Sequence, residues 1–286
     1  MPRCEVVVFA HNEEANIRRS VRSILQQPWG KVELHRLTVW STESSDRTDE
    51  IVEAMTDPRV CLKRRPIRRG KVYDVDEAVR ATACERLILM DADVEISAGC
   101  LPLLVAALDD EGVGIAVPCR RALNPDRGGL GFLSHLMADV HNALRPPKAG
   151  QVLAIRRELG GVDVEIGVDD AFQEHRCIAA SLEIRRVEEA VVSSLGPGTI
   201  RDFILQRRRN VAQHLSLRRS HGYAVGTLRL VPLARGVFSS GRYKRPHLLA
   251  SAAALEGVAR ALGYWDAYVR RERYLMWRVA ETTRSR

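Results

Sequence analysis

The stretch LILMDADVEIS, from Leu87 to Ser97, joins an apolar run directly to three carboxylates. Its first four residues are typical of a strand that is buried on both faces. Asp91, Asp93 and Glu95 follow where that strand would leave the sheet, and carboxylates so close together repel one another unless a cation or backbone amides compensate them. The stretch alone leaves two interpretations open: a cation or ligand site, or a polar loop whose aspartates cap the next helix.

The residues on the N-terminal side of this stretch alternate between strand and helix patterns. We predict strands over residues 4–10, 34–40, 60–63 and 86–90. We predict helices over residues 15–26, 46–55 and 72–83. Alternation at this spacing indicates an α/β fold with a mainly parallel sheet and helices on both faces.

Polar clusters follow three of the predicted strands. They are residues 11–14 after the first strand, residues 41–46 after the second and residues 91–93 after the fourth. In sheets of this kind, ligands bind in the crevice beyond the carboxyl ends of the strands. Because all three clusters fall at that edge, the sequence favours a binding site there over unrelated polar loops.

Composition and targeting signals indicate a soluble protein. The chain has 286 residues, of which 45% are hydrophobic and 28% charged, as in an ordinary globular protein. No signal peptide precedes residues 6–9, and the longest apolar stretch, residues 248–262, is interrupted by Glu256 and Arg260. The six cysteines form no C-x-x-C pair, which argues against a zinc site or disulfide framework. We therefore expect a cytoplasmic protein.

The net charge of +8 comes with several arginine clusters. Nucleic-acid binding is disfavoured, because only 5% of the residues are aromatic and no helix-turn-helix or RNA-binding signature is present. Phosphate groups on a small ligand, or an anionic membrane surface, explain the positive charge equally well.

Six segments in order resemble those of family-2 glycosyltransferases. They are VVVFAHNEEANIRRSVRSIL, VWSTESSDRTDEIV, Gly70-Lys71 with Asp76-Glu77-Ala78, LILMDADVEIS, AIRRELGGVDVEIGVDDAFQEHRC and IRDFILQRRRNVAQH. The resemblance covers roughly residues 4–215 and implies a GT-A fold. It implies a glycosyltransferase domain over residues 1–215, with a nucleotide-sugar half of about 1–97 and an acceptor half of about 98–215. Residues 216–286 would form a mostly helical C-terminal extension.

The resemblance also answers the question raised by the three carboxylates. In this family the Asp-x-Asp motif holds Mg²⁺ or Mn²⁺ on the diphosphate of a nucleotide sugar, and such cations prefer oxygen ligands. It implies that Asp93 is the direct metal ligand and that Asp91 contacts the metal or the ribose. Glu95 is similar in position to a residue that completes the metal shell, with a solvated position at the start of a helix as the alternative.

A nucleotide-sugar contact set follows from the same resemblance. The implied contacts are Ala10, His11, Glu13, Ser41, Glu43, Lys71, Asp91, Ala92, Asp93, Gln206 and Arg209. Ser41 and Thr42 stand where the family usually has aspartates that bind the nucleobase, and Glu43 stands where glycine is usual. The nucleotide is therefore left open among UDP, GDP and dTDP types.

The acidic pair Asp169-Asp170 resembles the family's catalytic pair. An inverting transferase needs a carboxylate that activates the acceptor hydroxyl for in-line attack. The resemblance assigns this base to Asp170, although two carboxylates at the start of a helix also suit helix capping. Asn210 replaces the tryptophan of the Gln-x-x-Arg-Trp element, which argues against a processive polysaccharide synthase.

Together these features predict an inverting, metal-dependent transferase that moves a sugar to a hydroxyl group of a lipid or small molecule. A nucleotidyltransferase and a non-catalytic nucleotide- or glycan-binding protein remain as alternatives. Residues 238–277 interleave aromatic and basic side chains. Such helices can lie on an anionic membrane, but they more often pack on a core, which favours a soluble acceptor. A homodimer is left open.

Overall fold

The structure is a computed structural model that describes residues 1–276. One eight-stranded sheet has the strand order β3-β2-β1-β4-β7-β6-β8-β5. The first four strands are β1 (Arg3–Ala10), β2 (Glu33–Thr42), β3 (Val60–Arg65) and β4 (Arg86–Asp91). They pair in parallel, so the strands predicted from the N-terminal alternation are confirmed.

The helices of this half cover both faces of the sheet. They are α1 (Ile17–Leu25), α2 (Thr48–Glu53) and α3 (Lys71–Ala81). Val6 and Val8 of β1 share one buried cluster with α1, whereas Val7 and Phe9 share the cluster on the other face with α3. Successive side chains of a strand point to opposite faces, so a continuous apolar run serves both clusters.

The sheet continues with strands of mixed direction. They are β5 (Glu95–Ile96), β6 (Val113–Ala122), β7 (Val152–Arg156) and β8 (Glu183–Ser194). The helices of this part are α4 (Cys100–Ala107), α5 (Gly128–Ala143) and α6 (Asp169–Ala179). β7 runs antiparallel to both β4 and β6. The chain therefore enters β7 at the same edge of the sheet where β4 ends, and Asp91 donates its backbone N–H to the Gln151 carbonyl at 2.9 Å.

The remaining helices are α7 (Ile200–His221), α8 (Leu230–Ser239) and α9 (Pro246–Trp265). α7 runs without a break past residue 215, and the predicted helical extension is present. Two arginines of α7 hold it to the following part of the chain: Arg207 binds Glu256 through two hydrogen bonds of 2.9 and 2.6 Å, and Arg208 binds Asp266.

Helix α9 is followed by a segment that returns to the sheet edge. We call residues 271–276 the return segment. Gln213 of α7 donates to the Tyr274 carbonyl at 2.8 Å, and the backbone of Leu275 lies so close to Gly70 that a Cβ atom there would overlap it. Trp277 of the aromatic series lies outside the described residues. None of the helices within residues 1–276 is long and apolar enough to cross a membrane.

Candidate active site

The polar clusters at the strand ends open into one cavity of about 1070 Å³. Most of the residues singled out from the sequence line it, and they come from the ends of β1 and β4, from the starts of α3 and α6, and from α7. They are Ala10, His11, Glu13, Lys71, Asp91, Ala92, Asp93, Asp169, Asp170, Gln206 and Arg209. The folded chain therefore brings together side chains that are up to about two hundred positions apart in sequence.

The Asp91–Asp93 turn carries an unbalanced negative charge. Burial and the neighbouring carboxylates of Asp91 and Glu13 raise the pKa of Asp93 to about 7. A carboxyl group with such neighbours binds either a proton or a cation. The sequence left the same choice open between a cation site and a polar loop.

Lys71 links this turn to the acidic pair of α6. Its ammonium group lies 2.6 Å from the Asp91 carboxylate and 3.2 Å from the Asp169 carboxylate. Burial opposes the positive charge, but the surrounding carboxylates outweigh burial and raise the pKa of Lys71. One ammonium group therefore contacts a carboxylate from each of the two acidic motifs.

Glu95 lies away from the other two carboxylates of its motif. It opens β5, and its side chain pairs with Arg19 of α1 at 3.2 Å. It is not among the residues that line the cavity. The reason is that Asp91 ends β4 and Asp93 lies in the turn after it, whereas the chain at Glu95 has already joined β8 as an antiparallel edge strand.

The end of β2 contributes Thr42 to the cavity rather than Ser41 or Glu43. The buried Ser41 hydroxyl donates to Ser44 at 2.9 Å, and Glu43 is exposed, with a φ of 50°. The Thr42 carbonyl lies 2.7 Å from His11 Nδ1, and its hydroxyl donates to Asp74 at 2.7 Å. Burial raises the pKa of Asp74, and the Thr42 bond offsets only part of that rise.

Asp169 and Asp170 begin α6 but differ in their partners. Lys148 donates to Asp170 at 3.0 Å and also lies 3.5 Å from Glu174. Burial raises the pKa of Asp169. Burial acts in the same direction on Asp170, but Lys148, which is charged and donates a hydrogen bond, outweighs it and lowers the pKa of Asp170. Asp170 is therefore the member of the pair that holds a negative charge most readily.

All three arginines of the run in α7 line the cavity, but two of them are engaged by carboxylates of the following chain. Arg207 and Arg208 are held by Glu256 and Asp266. Burial lowers the pKa of Arg209 to about 10, and the negative charges of Asp91 and Asp169 offset part of that effect. Arg209 therefore lines the cavity within electrostatic range of Asp91 and Asp169, one helical turn from Gln206.

Several cavity residues did not emerge from the sequence. They are Asp74, Arg120, Lys148, Gln151, Ser194 and His214. The sequence could have indicated Asp74, because it lies one helical turn after Lys71 on the same face of α3. Lys148 and Gln151 precede the short strand β7, whose antiparallel insertion beside β4 no local pattern announces.

The donor set suits a hard divalent cation that shares its ligands with a substrate. Asp91, Asp93 and Glu13 supply carboxylate oxygens to the cavity, and burial together with the other two carboxylates raises the pKa of Asp93 despite the nearby Lys71. Within residues 1–276, no three His, Cys, Asp or Glu side chains form a metal cage by themselves. Mg²⁺-type sites often use one or two carboxylates together with substrate phosphates and water.

The sequence of the chain is similar to that of known glycosyltransferases. A family model described as "Glycosyl transferase family 2" matches residues 5–162. A curated relative from Drosophila melanogaster, "Putative polypeptide N-acetylgalactosaminyltransferase 10", is 28% identical over 112 residues, which is 37% of this chain. The matched region spans only 18% of that relative's length.

Solved structures show the same fold. The mannosyltransferase PcManGT from Pyrobaculum calidifontis, solved in complex with GDP-Man and Mn²⁺, has a TM-score of 0.62 at 23% identity, covering 94% of this chain and 76% of that chain. Glucosyl-3-phosphoglycerate synthase from Mycobacterium tuberculosis, in complex with Mn²⁺, UDP-glucose and phosphoglyceric acid, has a TM-score of 0.52 at 21% identity. That match covers 75% of this chain and 79% of the synthase.

Proposed function

The chain belongs to glycosyl transferase family 2, and from that premise we propose that it transfers a sugar from a nucleoside diphosphate sugar to an acceptor hydroxyl group, with inversion at the anomeric carbon. The observation that carries this proposal is the position of Lys71, which contacts Asp91 of the first acidic motif and Asp169 of the second. A donor-binding motif and a proton-accepting motif thus share one cavity, as a direct transfer between two substrates requires.

We assign metal binding to Asp91 and Asp93, with Mn²⁺ or Mg²⁺ as the cation. The cation, when bound, neutralises the charge that develops on the leaving diphosphate. The protein's own share of this work falls to Lys71 and Arg209, which are cations directed at the same carboxylates. Both can bind phosphate oxygens once the donor enters.

Asp170 is the proposed general base. Lys148 holds its carboxylate at 3.0 Å and keeps its pKa below the usual range. Asp170 therefore stays ionised at neutral pH and can accept the proton of an acceptor hydroxyl. The carboxylate of Asp169 pairs with Lys71. Asp169 thereby orients the ammonium group that we propose binds the donor phosphates.

The nucleobase is proposed to bind between the ends of β1 and β2. Thr42 and His11 are linked by a hydrogen bond of 2.7 Å there, and Asp74 accepts from the Thr42 hydroxyl. These groups offer both donors and acceptors to a base. They compensate for the missing aspartates of β2 without deciding among UDP, GDP and dTDP donors.

Replacement of Asp170 by asparagine tests the assignment. We expect Asp170→Asn to bind a nucleoside diphosphate as the wild type does but to lose about 10²-fold to 10⁴-fold in turnover, because the amide cannot accept the proton. Asp163→Asn is the matched control, since Asp163 is outside the cavity lining and pairs with His221. Release of nucleoside diphosphate should be measured together with the glycosylated product.

Each alternative function predicts a different result in that assay. Pyrophosphate release in place of nucleoside diphosphate would indicate a nucleotidyltransferase, whose attack occurs at phosphorus. Binding without turnover across a broad panel of donors and acceptors would indicate a non-catalytic binding protein. The chain after β1, residues 11–14, includes two glutamates and no glycine, unlike the glycine-rich basic loop that nucleotidyltransferases usually carry at this point.

A further inference from the structure

Arg120 of β6 is fixed in place at its backbone. Its N–H donates to the side-chain oxygen of Asn142 at 2.9 Å, and the Asn142 amide donates to the Arg120 carbonyl at 2.8 Å. Asn142 lies on α5, so this pair of bonds ties the last part of β6 to the helix that follows it. The backbone from which the Arg120 side chain extends is thereby held on both sides of its peptide group.

The Arg120 side chain extends into the cavity beside the acidic motif. Its guanidinium group donates to the side-chain oxygen of Gln151 at 3.0 Å, and that oxygen also accepts from the Ser194 hydroxyl at 2.8 Å. The backbone carbonyl of Gln151 accepts from Asp91. Gln151 therefore connects the metal motif on β4 to Arg120, which lies on the far side of β7.

Arg120 differs from four other basic side chains that line this cavity. Lys71, Lys148, Arg207 and Arg208 each form an ion pair with a carboxylate. In the part of the chain that the structure describes, Arg120 forms no such pair, and its guanidinium group binds the neutral amide of Gln151. Desolvation lowers the pKa of Arg120, and the more distant Asp170, Asp91 and Asp93 offset only part of that effect.

A desolvated guanidinium group without a carboxylate partner is suited to an anion that arrives from outside. Arginine presents a rigid fork of donors that matches the two oxygens of a phosphate or carboxylate. The exposed Arg121 and Arg201 line the same cavity. They add positive charge near the opening, which favours the entry of an anionic ligand.

The strand order places Arg120 two strands away from Asp91, because β7 lies between β4 and β6. Among the carboxylates near Arg120, Asp170 has the largest effect on its pKa, ahead of Asp91 and Asp93. We propose that Arg120 binds an anionic group of the acceptor, a phosphate or a carboxylate, and so places the neighbouring hydroxyl at Asp170. This inference rests on the proposed transfer reaction and adds the chemical class of its acceptor.

The first test fills the donor site and then offers the anion alone. With the nucleoside diphosphate and Mg²⁺ at saturation, we expect inorganic sulfate to raise the thermal transition of the wild-type protein further, as a stand-in for a phosphate ester. Arg120→Gln should lose this second shift while it still binds the nucleotide. Arg120→Lys should weaken sulfate binding by about tenfold, because it keeps the charge but loses the fork.

Arg22→Gln is the matched control, because it removes an exposed arginine of α1 that does not line the cavity. Sulfate that binds equally well to Arg120→Gln would overturn the proposal. Sulfate that competes with the nucleotide would also overturn it, since Arg120 would then belong to the donor phosphate site. A wild-type protein that binds no nucleoside diphosphate with Mg²⁺ or Mn²⁺ would instead contradict the proposed function itself.

The second test compares acceptors in pairs that differ by one anionic group. The wild type should turn over a phosphorylated or carboxylated acceptor at least about tenfold better than its neutral analogue. In Arg120→Gln this preference should disappear, with a rise in KM for the anionic acceptor and little change for the neutral one. An acetate arm beside the sulfate arm distinguishes a carboxylate from a phosphate. No preference in the wild type would overturn the assignment.

Discussion

The pKa values of Asp93 and Asp170 are shifted in opposite directions within one cavity. Asp93 lies among carboxylates, and burial together with Asp91 and Glu13 raises its pKa to about 7. Asp170 is bound by Lys148, which keeps its pKa below the usual range against the effect of burial. The charge of the first carboxylate would be stabilised by a cation, whereas the second stays ionised and so remains available as a proton acceptor. The two roles can be tested separately.

The metal role predicts cation-linked donor binding. In calorimetric titrations with Mn²⁺ present, Asp93→Ala or a chelator should weaken nucleoside diphosphate binding by at least about tenfold, or about 1.4 kcal/mol. Glu95→Ala is the informative control, because Glu95 pairs with Arg19 outside the cavity lining. We expect its affinity to be unchanged, and a loss as large as that of Asp93→Ala would place Glu95 in the metal shell. Equal affinity in all conditions would remove the metal from the mechanism.

The base role predicts a shift in the pH dependence of the rate. Because Lys148 lowers the pKa of Asp170, Lys148→Gln should raise that pKa, and the rate should then begin to fall at a higher pH as the medium is acidified. The other charged or titratable groups around Asp170 are Asp169 and Glu174 on α6, His214 and Arg209 on α7, Lys71 on α3 and Arg120 on β6. Burial lowers the pKa of His214 to about 3, so His214 stays neutral across the measured range.

Tyr223→Phe provides the comparison for this profile. The Tyr223 hydroxyl donates to Glu174 at 2.8 Å and does not contact Asp170. The acidic limb of kcat/KM should move in Lys148→Gln and stay in place in Tyr223→Phe. An acidic limb that is identical in wild type and Lys148→Gln would show that Asp170 is not the group that titrates.

Helix α3 begins at a position that depends on the far end of the chain. Gly70 precedes it with a φ of 116°, and the backbone of Leu275 in the return segment occupies the space where a side chain would be. Lys71, which bridges Asp91 and Asp169, is the next residue. The position of Lys71 therefore depends on where the backbone of the return segment lies.

This coupling predicts a large effect from one methyl group. Gly70→Ala should displace the return segment and weaken nucleoside diphosphate binding, beyond a backbone strain of about 1–3 kcal/mol. Gly99→Ala has the same kind of strain, with a φ of 78°, but its nearest other atom is a Leu103 methyl group at 3.9 Å. Denaturant unfolding and calorimetry should show destabilisation in both variants and weaker binding only in Gly70→Ala. Unchanged nucleotide affinity in Gly70→Ala would separate the return segment from the donor site.

Helix α9 presents an apolar face at the surface of the molecule. The two charged side chains of α9, Glu256 and Arg260, turn inward and bind Arg207 and the Thr227 carbonyl. Its outward side presents alanine, glycine and valine, and Trp265 near its end is 55% exposed. Phe238 is 69% exposed before the helix, and basic residues flank both ends, namely Lys244, Arg245, Arg270 and Arg271. Phe238 and Trp265 are therefore not packed in a core. The expectation of a soluble acceptor rested on such packing.

An uncharged helix face between basic ends suits an anionic lipid surface. We expect the protein to sediment with anionic vesicles at low ionic strength and to be released by salt, since each basic residue contributes about 1 kcal/mol near such a surface. Trp265→Ala should reduce sedimentation, whereas Ile178→Ala, an exposed apolar residue on α6, should not. Sedimentation that is absent at every salt concentration would favour the soluble acceptor.

Much of this architecture follows from local patterns, and the rest depends on distant pairing. The four parallel strands and their polar ends were predicted because apolar runs and helix periodicity are properties of neighbouring residues. The antiparallel insertion of β7 was not, since its five residues carry no sign of which strands they join. Lys148 and Gln151 were missed for that reason. Glu95 was grouped with Asp91 by spacing, and the start of β5 separated them.

The direction of β7 has an evolutionary consequence. The segment just before the strand carries Lys148, which contacts the proposed base, and Gln151, which contacts Arg120. The strand itself is held by pairing with β4 and β6. On the assignments proposed for Asp170 and Arg120, substitutions within residues 148–151 would change acceptor preference while the parallel strands β1 to β4 keep their register. A descendant enzyme could acquire a new acceptor through these few positions, without compensating changes elsewhere in the sheet.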